Sequence, residues 1–348
     1  MSLRILSVGS MYPPHDLRGG YELTWAAAVE RMRERGHDVR VLTTDYRTPA
    51  RAQPEPGVHR ELRWYWHEHA FPRRGWRERV AIERHNAAVL ERHLEEHRPD
   101  VVNWWAMGGM SLALVERVRR AGIPAVGVVG DEWMVWGPRM DAWLEPFRSR
   151  PRLARLAERM TGLPARVELG AAATWIFNSD HTRRASERAA GAFERAEVAH
   201  PGIDHGLFRP APPREWGWRL LYVGRLDPRK GVDTAVEALS HLPAGATLTV
   251  QGSGEPGYER ELRREGVRFS AEPRERLGEL YAEHDAVLFP VKWEEPWGLV
   301  PLEAMAVGRP VVATGTGGSA EYLLHEENCL LFEPRDSPAA LAAAVERL

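Results

Sequence analysis

Hydrophobic and polar positions along this chain switch repeatedly between two spacings. Residues 3–8 (LRILSV) are a short apolar run ending at Gly9, which predicts a buried strand. Tyr21–Arg35 then places Leu23, Ala26, Ala27 and Met32 at helical spacing, Gly36 stops the run, and DVRVLTT reads as the next strand. HRELRWYW (59–66) alternates like a strand, and a long amphipathic helix follows through residue 98. PDVVNWW, MSLALVERVRRAG and PAVGVV continue as strand, helix, strand; 151–168 is helical, ATWIFNSD a strand and HTRRASERAAG a helix. From 198 to 218 the periodicity lapses into Pro and Gly, which predicts a boundary between residues 1–205 and 206–348. The alternation then restarts with RLLYVGRL and runs through TLTVQ, VRFS, AVLFPV and PVVAT, helices falling between. Two successive runs of this kind predict an α/β chain with two Rossmann-like, doubly wound domains facing each other across a ligand cleft.

A length of 348 residues suits two such domains, and 43% hydrophobic with 28% charged residues is an ordinary globular composition. The single Cys, Cys329, excludes a disulfide framework or a Cys-rich metal site. MSLRILSVGSMYPP reads as a first strand rather than a signal peptide, and no run approaches the roughly 20 apolar residues of a membrane span, so the expected location is the cytoplasm. Residues 1–210 carry 32 Arg against 27 acidic residues (+5), and the remaining 15 basic against 22 acidic (−7) give the total of −2. That asymmetry argues against nucleic acid and leaves room for an acidic or membrane-surface partner of the first domain, with Arg73, Arg74, Arg77 and Arg79 beside Trp76 as the candidate contact.

The candidate chemistry centres on WEEPWGLVPLE, Trp293–Glu303. Glu295 sits in a predicted loop, Pro296, Trp297 and Gly298 turn the chain, and the helix-like run Leu299–Val307 brings in Glu303. A ligand there meets a carboxylate, then the free N–H groups of a helix start, then a second carboxylate, an order that suits a sugar carrying a phosphate. GRLDPRKG puts Arg225 and Lys230 on a strand-to-helix loop, and Lys230 is one of only two lysines in an Arg-rich chain, so an anion site is favoured over a solvated turn. Gly19 and Gly20 on the first strand-to-helix loop permit close approach to an anion or simply turn the chain. Asp131 ends a strand where substrate groups collect; Trp104, Trp105, Trp133, Trp136 and Trp143 nearby read equally as stacking surfaces or core. GSGEPG (Gly252, Gly254, Gly257), with Glu272 twenty residues beyond Gly252, formally matches the dinucleotide fingerprint of an NAD(P)-dependent oxidoreductase. No metal constellation is evident: the 14 His are scattered, and His67/His69 and His93/His97 have no carboxylate at a diagnostic spacing.

These motifs together resemble the retaining GT-B-fold glycosyltransferases of family 4. The likeness runs from MYPPHDLRGGYE and RGHDVRVLT through HPGIDHGLFRP and VGRLDPRKG to FPVKWEEPWGLVPLEAMAVGRPVVAT and GTGGSAEYL, nearly the whole chain. The resemblance implies hexosyl transfer from a nucleotide-diphosphate sugar, UDP- or GDP-linked, to a small-molecule, glycan or lipid hydroxyl, with no bound metal or other cofactor. It implies that the first domain takes the acceptor and the second the donor. Arg225 and Lys230 would hold the diphosphate, helped by Gly19–Gly20. Glu295 would meet the transferred sugar, Trp297, Gly298, Leu299 and Val300 would frame sugar and phosphate, and Glu303 would take the ribose. Asp131 is a candidate catalytic or acceptor residue, although Gly130 stands where the family often has His. The last helix begins at Ser337–Pro338 and the chain stops without a C-cap, so the family's crossover helix is expected to be missing or shortened. A non-catalytic sugar-nucleotide or glycan-binding module is the other reading.

Overall fold

The computed structural model describes residues 2–15, 19–46, 53–67 and 70–348. Parts of the MYPPHDLRGGYE motif, most of the 47–57 connection and His69 lie outside them. The chain divides into two compact units, Met1–His200 and Pro201–Leu348, rather than at 205/206.

In the first unit β1 (Arg4–Val8), β2 (Asp38–Thr44), β3 (Val58–Leu62), β4 (Val101–Trp104), β5 (Ala125–Val129), β6 (Thr174–Phe177) and β7 (Ala196–Val198) form one parallel sheet in the order β3-β2-β1-β4-β5-β6-β7. In the second, β8 (Arg219–Val223), β9 (Thr247–Gln251), β10 (Val267–Ser270), β11 (Ala286–Phe289), β12 (Val311–Ala313) and β13 (Leu330–Leu331) form another in the order β10-β9-β8-β11-β12-β13, also parallel. Each order reverses direction beside its first strand, the doubly wound pattern expected from sequence. The loops after β8 and β11 therefore flank the switch point of the second sheet, where side chains of distant sequence converge. Both faces of that sheet are covered: Leu220, Tyr222, Val250, Leu288 and Val312 pack on one side, Leu221, Val287, Phe289 and Val311 on the other. This is why its strands are continuously apolar.

Several expectations change in detail. The strand expected over 59–66 ends at Leu62, because the Asn86 amide binds both the N–H (2.8 Å) and the C=O (2.9 Å) of Arg63 and takes the place of a neighbouring strand. The helix expected over 151–168 ends at Thr161, where Gly162 adopts φ 72°. SAEYLL is a short 3-10 turn, Gly317–Glu321, because Thr316 and Ser319 satisfy each other in a capping box over two glycines. Of the tryptophans weighed as a stacking surface, Trp104, Trp105, Trp133 and Trp143 are buried core. The last helix, Pro338–Val345, is capped by Ser337, whose hydroxyl accepts from the Ala340 N–H at 3.2 Å, and it seats Leu341 and Val345 in the core of the second sheet. No helix among the described residues is long and apolar enough to cross a membrane.

Candidate functional site

The strongest cluster lies in the second unit, between the loops that leave β8 and β11. After β8 the chain enters a 3-10 turn, Pro228–Lys230, started by the Asp227 carboxylate, which accepts from the Arg229 N–H at 3.0 Å. Gly231 ends it at φ 70°, and a Cβ there would lie 1.8 Å from the Pro290 carbonyl, so the two loops touch through a position only glycine can fill. Lys292 extends the seam: its N–H donates to the Arg229 carbonyl (2.8 Å) and its ammonium to Asp233 (2.7 Å).

This seam brings Lys230 onto Glu295. Lys230 Nζ donates to Glu295 Oε2 at 2.6 Å, and the Trp293 indole N–H donates to the same oxygen at 2.9 Å. The two side chains are 19% and 10% exposed, so the pair is mostly withdrawn from water. Trp293 also carries Lys230 Nζ and the Arg229 guanidinium over its ring, 5.2 and 5.0 Å from the centroid. Arg229 keeps Asp227 ionised, holding its carboxyl below the usual range. Arg225 is exposed, and its carbonyl accepts from the Tyr222 hydroxyl at 3.0 Å. Glu294, next to Glu295, points outward to Arg335 (2.8 Å).

The turn after Glu295 is fixed by the loop that follows β12. The Gly318 N–H donates to the Glu295 carbonyl (2.7 Å), Thr316 Oγ1 to the Trp293 carbonyl (2.6 Å) and Thr314 Oγ1 to the Val291 carbonyl (2.7 Å). Gly298 takes φ 82°, a Cβ on it would meet the Phe289 ring at 2.8 Å, and its carbonyl accepts from the Tyr322 hydroxyl at 2.5 Å. Trp297 packs on Tyr322 (ring centroids 4.8 Å) and donates to the Pro201 carbonyl at 3.2 Å, so its indole is structural in this arrangement. Helix Val300–Val307 starts here with Leu299 as N-cap, leaving the N–H groups of Gly298, Leu299 and Val300 without intrahelical acceptors. One turn in, Glu303 is buried; it accepts from the Tyr281 hydroxyl at 2.8 Å, and Arg274 lies 3.8 Å away. Burial raises its pKa, against the lowering effects of Tyr281 and Arg274. Tyr281 carries no motif, and Trp293, although it opens WEEPWGLVPLE, has no role assigned by that motif; only the fold reveals what the two side chains hold.

The first unit holds the other expected residues. Asp131 follows β5, and its Oδ1 accepts from the Trp133 N–H at 2.9 Å, a turn that opens helix Trp133–Met140. Gly130 has a physical reason: a Cβ there would lie 2.5 Å from the Tyr21 ring, whose hydroxyl donates to the Val128 carbonyl. Gly19 and Gly20 are the N-cap and first residue of helix Gly20–Glu34, and a Cβ on Gly19 would lie 2.3 Å from Glu22 Oε2. This helix start, weighed as an anion contact or a simple turn, has the Glu22 carboxylate beside it.

Two other groupings are explained by packing and charge. A Cβ on Gly252 would meet the Gly224 carbonyl at 1.9 Å and one on Gly254 the Leu226 carbonyl at 2.5 Å, while the Leu226 N–H donates to the Ser253 carbonyl (3.0 Å). These glycines let the loop after β9 lie against the loop after β8, and the following helix, Pro256–Leu262, opens with a proline that has no N–H for a phosphate. His59, Glu61 and His93, which spacing alone did not connect, come together, with ligand atoms within 4.8 Å of one another. Arg92 binds the Glu61 carboxylate and Arg40 points its N–H at His93 Nδ1 (3.3 Å), which leaves the ring proton on Nε2, the nitrogen facing Glu61. As it stands the trio is a charge-compensated network.

Comparison with known proteins bears on the whole chain. A profile described as "Glycosyl transferases group 1" matches residues 217–348, and one described as "Glycosyltransferase Family 4" matches residues 18–207. A D-inositol 3-phosphate glycosyltransferase of Xylanimonas cellulosilytica is 35% identical over 169 residues, 41% of this chain and 40% of that one. A glycogen synthase of Mycobacterium tuberculosis is 38% identical over 161 residues, 42% of this chain and 38% of that one. The matched segments thus span about two fifths of these relatives' length. Among solved structures, sucrose-phosphate synthase of Thermosynechococcus elongatus superposes with a TM-score of 0.71 at 21% identity, covering 99% of this chain and 89% of that one. Anabaena HepE in complex with UDP and glucose gives 0.68 at 22% identity, with the same coverage. These likenesses establish the GT-B fold, two Rossmann-like halves. With more than half of its residues matched by one family profile, the chain belongs to Glycosyltransferase Family 4.

Proposed function

We propose that the protein is a retaining glycosyltransferase that moves a hexosyl group from a nucleotide-diphosphate sugar to a hydroxyl acceptor. The observation that carries this reading is the meeting of Lys230 and Glu295 at the switch point of the second sheet, beside an open helix start. A diphosphate entering there competes with Glu295 for the Lys230 ammonium. The released Glu295 carboxylate then accepts hydrogen bonds from the sugar's hydroxyls, while Arg225 and the N–H groups of Gly298, Leu299 and Val300 take phosphate and sugar oxygens. Glu303, oriented by Tyr281, receives the ribose hydroxyls. Negative charge builds on the leaving diphosphate as the bond between the sugar's anomeric carbon and the phosphate oxygen breaks. Lys230, Arg225 and the helix start are the groups positioned to stabilise it, so no metal is required in this scheme. The acceptor oxygen bonds to the anomeric carbon on the face the diphosphate leaves, and its proton passes to a diphosphate oxygen. Glu295 thus orients and stabilises, and need not become covalently attached.

The donor is expected among UDP- and GDP-sugars; HepE, in complex with UDP and glucose, is a structural neighbour on that side. Asp131 is the first unit's candidate for binding the acceptor hydroxyl. The test is nucleotide release from UDP-, GDP-, ADP- and TDP-sugars across an acceptor panel, with the product's anomeric configuration read by NMR. Lys230→Ala and Glu295→Ala should each lower turnover by at least about a hundredfold, the loss typical of removing a group that stabilises developing charge. Arg225→Ala should mainly weaken donor binding. Full activity in the Lys230 and Glu295 variants sinks the site, and an inverted anomer sinks retention. Tight donor binding without turnover on any acceptor would instead favour a sugar-nucleotide-binding module.

A further inference from the structure

One face of the first unit turns its apolar side chains the wrong way for a helix packed on a globular core. Helix Pro151–Thr161 buries only Ala154 and Ala157 deeply, while Leu153, Leu156 and Met160 are 40%, 53% and 75% exposed. At about 100° per residue these three fall within an arc of roughly 60°. Arg152, Arg155 and Arg159, all exposed, occupy the neighbouring arc. The turn before this helix, where the Arg150 N–H donates to the Phe147 carbonyl at 2.8 Å, joins it in the chain to a second exposed group. Trp76, 48% exposed, packs on Phe147 and Trp143 with ring centroids 6.0 and 5.1 Å apart. Arg77 and Arg84 line a shallow depression beside it, and Met140, 40% exposed, ends the helix before.

We propose that this face docks the protein on the surface of an anionic phospholipid bilayer. Long apolar side chains flanked by arginines let the former enter the acyl boundary while the latter stay among the phosphates. The charge agrees: residues 1–210 carry the chain's positive excess (+5), and Glu158, the acidic residue inside this helix, is held by Arg120 and Arg166. A second copy is a poor occupant, because a twofold pairing of the face with itself would oppose rows of arginine. The expected contact through Arg73–Arg79 moves accordingly. Arg74 is ion-paired with Glu78 and Arg79 donates to the Ala142 carbonyl, so these two are engaged within the protein, while Arg73 and Arg77 are exposed. The inference does not depend on the glycosyl-transfer reading.

The test is flotation of the full chain with vesicles of phosphatidylcholine alone and with about one third phosphatidylglycerol. Binding to the anionic vesicles should be at least about tenfold tighter and should weaken with added salt. Leu153→Ser/Leu156→Ser/Met160→Ser should lower it by at least about tenfold, and Arg152→Gln/Arg155→Gln/Arg159→Gln should erase the preference for anionic lipid. All six side chains are exposed, so circular dichroism and Tm should stay as in the parent. Equal binding to both vesicle types, or none to either, overturns the proposal. So does a dimer in sedimentation that the triple serine variant abolishes, which would assign the face to a second copy.

Discussion

Lys230 and Glu295 lie 65 residues apart in sequence and 2.6 Å apart in the fold, and their coupling can be measured without any substrate. At that distance two unit charges attract by about 6 kcal/mol at an effective dielectric of about 20. Withdrawing both side chains to 19% and 10% exposure costs several kcal/mol of hydration, so the net coupling should be about 1–3 kcal/mol. Lys230→Met removes the ammonium and leaves Glu295 with the Trp293 N–H. Glu295→Gln removes the charge and keeps an acceptor for that N–H. Each single variant strands a mostly buried partner, whereas the double variant strands neither. Urea unfolding of the four proteins, followed by circular dichroism, should show the double variant less destabilised than the sum of the singles by about 1–3 kcal/mol. Saturating donor should shrink the coupling of the bound state, because the diphosphate replaces Glu295 as the lysine's partner. Additive singles, within about 0.5 kcal/mol, would refute the pair as a stabilising element. A coupling unchanged by bound donor would refute the exchange of partners.

Other outcomes follow from the same geometry. Gly231→Ala places a methyl 1.8 Å from the Pro290 carbonyl at φ 70°, so it should cost about 3 kcal/mol or more, visible as a large drop in Tm, and separate the β8 and β11 loops. Tyr281→Phe leaves Glu303 buried without its hydroxyl partner; donor affinity should fall by about 1–2 kcal/mol, roughly five- to thirtyfold in Kd by calorimetry. In the first unit, Glu83 accepts from Tyr65 (2.6 Å) and from Ser111 in a fully buried setting near Asp141. Burial raises the Asp141 pKa to about 6, held there by three backbone N–H bonds, from Leu112, Trp143 and Leu144, that favour its ionised form. The proton therefore stays on Glu83, whose pKa is pushed up to about 8 by burial and then by the Asp141 charge. An acid with a raised folded pKa loses stability as pH rises from its unfolded value, near 4.5, towards about 8. Glu83→Gln, which mimics the protonated side chain, should remove part of that loss, so its Tm should fall less than the parent's between pH 5 and pH 8.

Much of this was legible because the doubly wound pattern announces itself locally. Each strand reads as a short apolar run and each helix as a periodic one, and their alternation marks the fold class, whereas the strand order is seen only in the structure. Among the elements that escaped were β7 and β13, three and two residues long and too short to carry a period, and helix Trp133–Met140, which has a proline inside it. The carboxylate spacing from Glu295 to Glu303 was visible because both lie on one stretch. The Lys230 contact was not, since it depends on β11 pairing with β8 and joins residues 65 apart in sequence. The tryptophans misdirect for a plain reason: a large apolar ring at the end of a strand looks the same whether it lines a site or fills a core. Trp104 and Trp133 fill one, whereas Trp293, outside that group, supports the Lys230–Glu295 pair.

Glu295 is held by its main chain as firmly as by its side chain. A Cβ on Gly317 would lie 2.4 Å from the Glu295 carbonyl oxygen and 2.7 Å from its nitrogen, and the Gly318 N–H already binds that carbonyl. The two loops are pressed together with no space for an added atom. Lengthening or shortening either one would dislodge the carboxylate before it altered what the carboxylate recognises. Redesign of this protein for a different sugar is therefore confined to exchanging side chains around a fixed wire of backbone. Libraries that vary loop length between residues 291 and 298 should return few folded members, whereas substitutions at exposed Arg225 should fold and weaken donor binding.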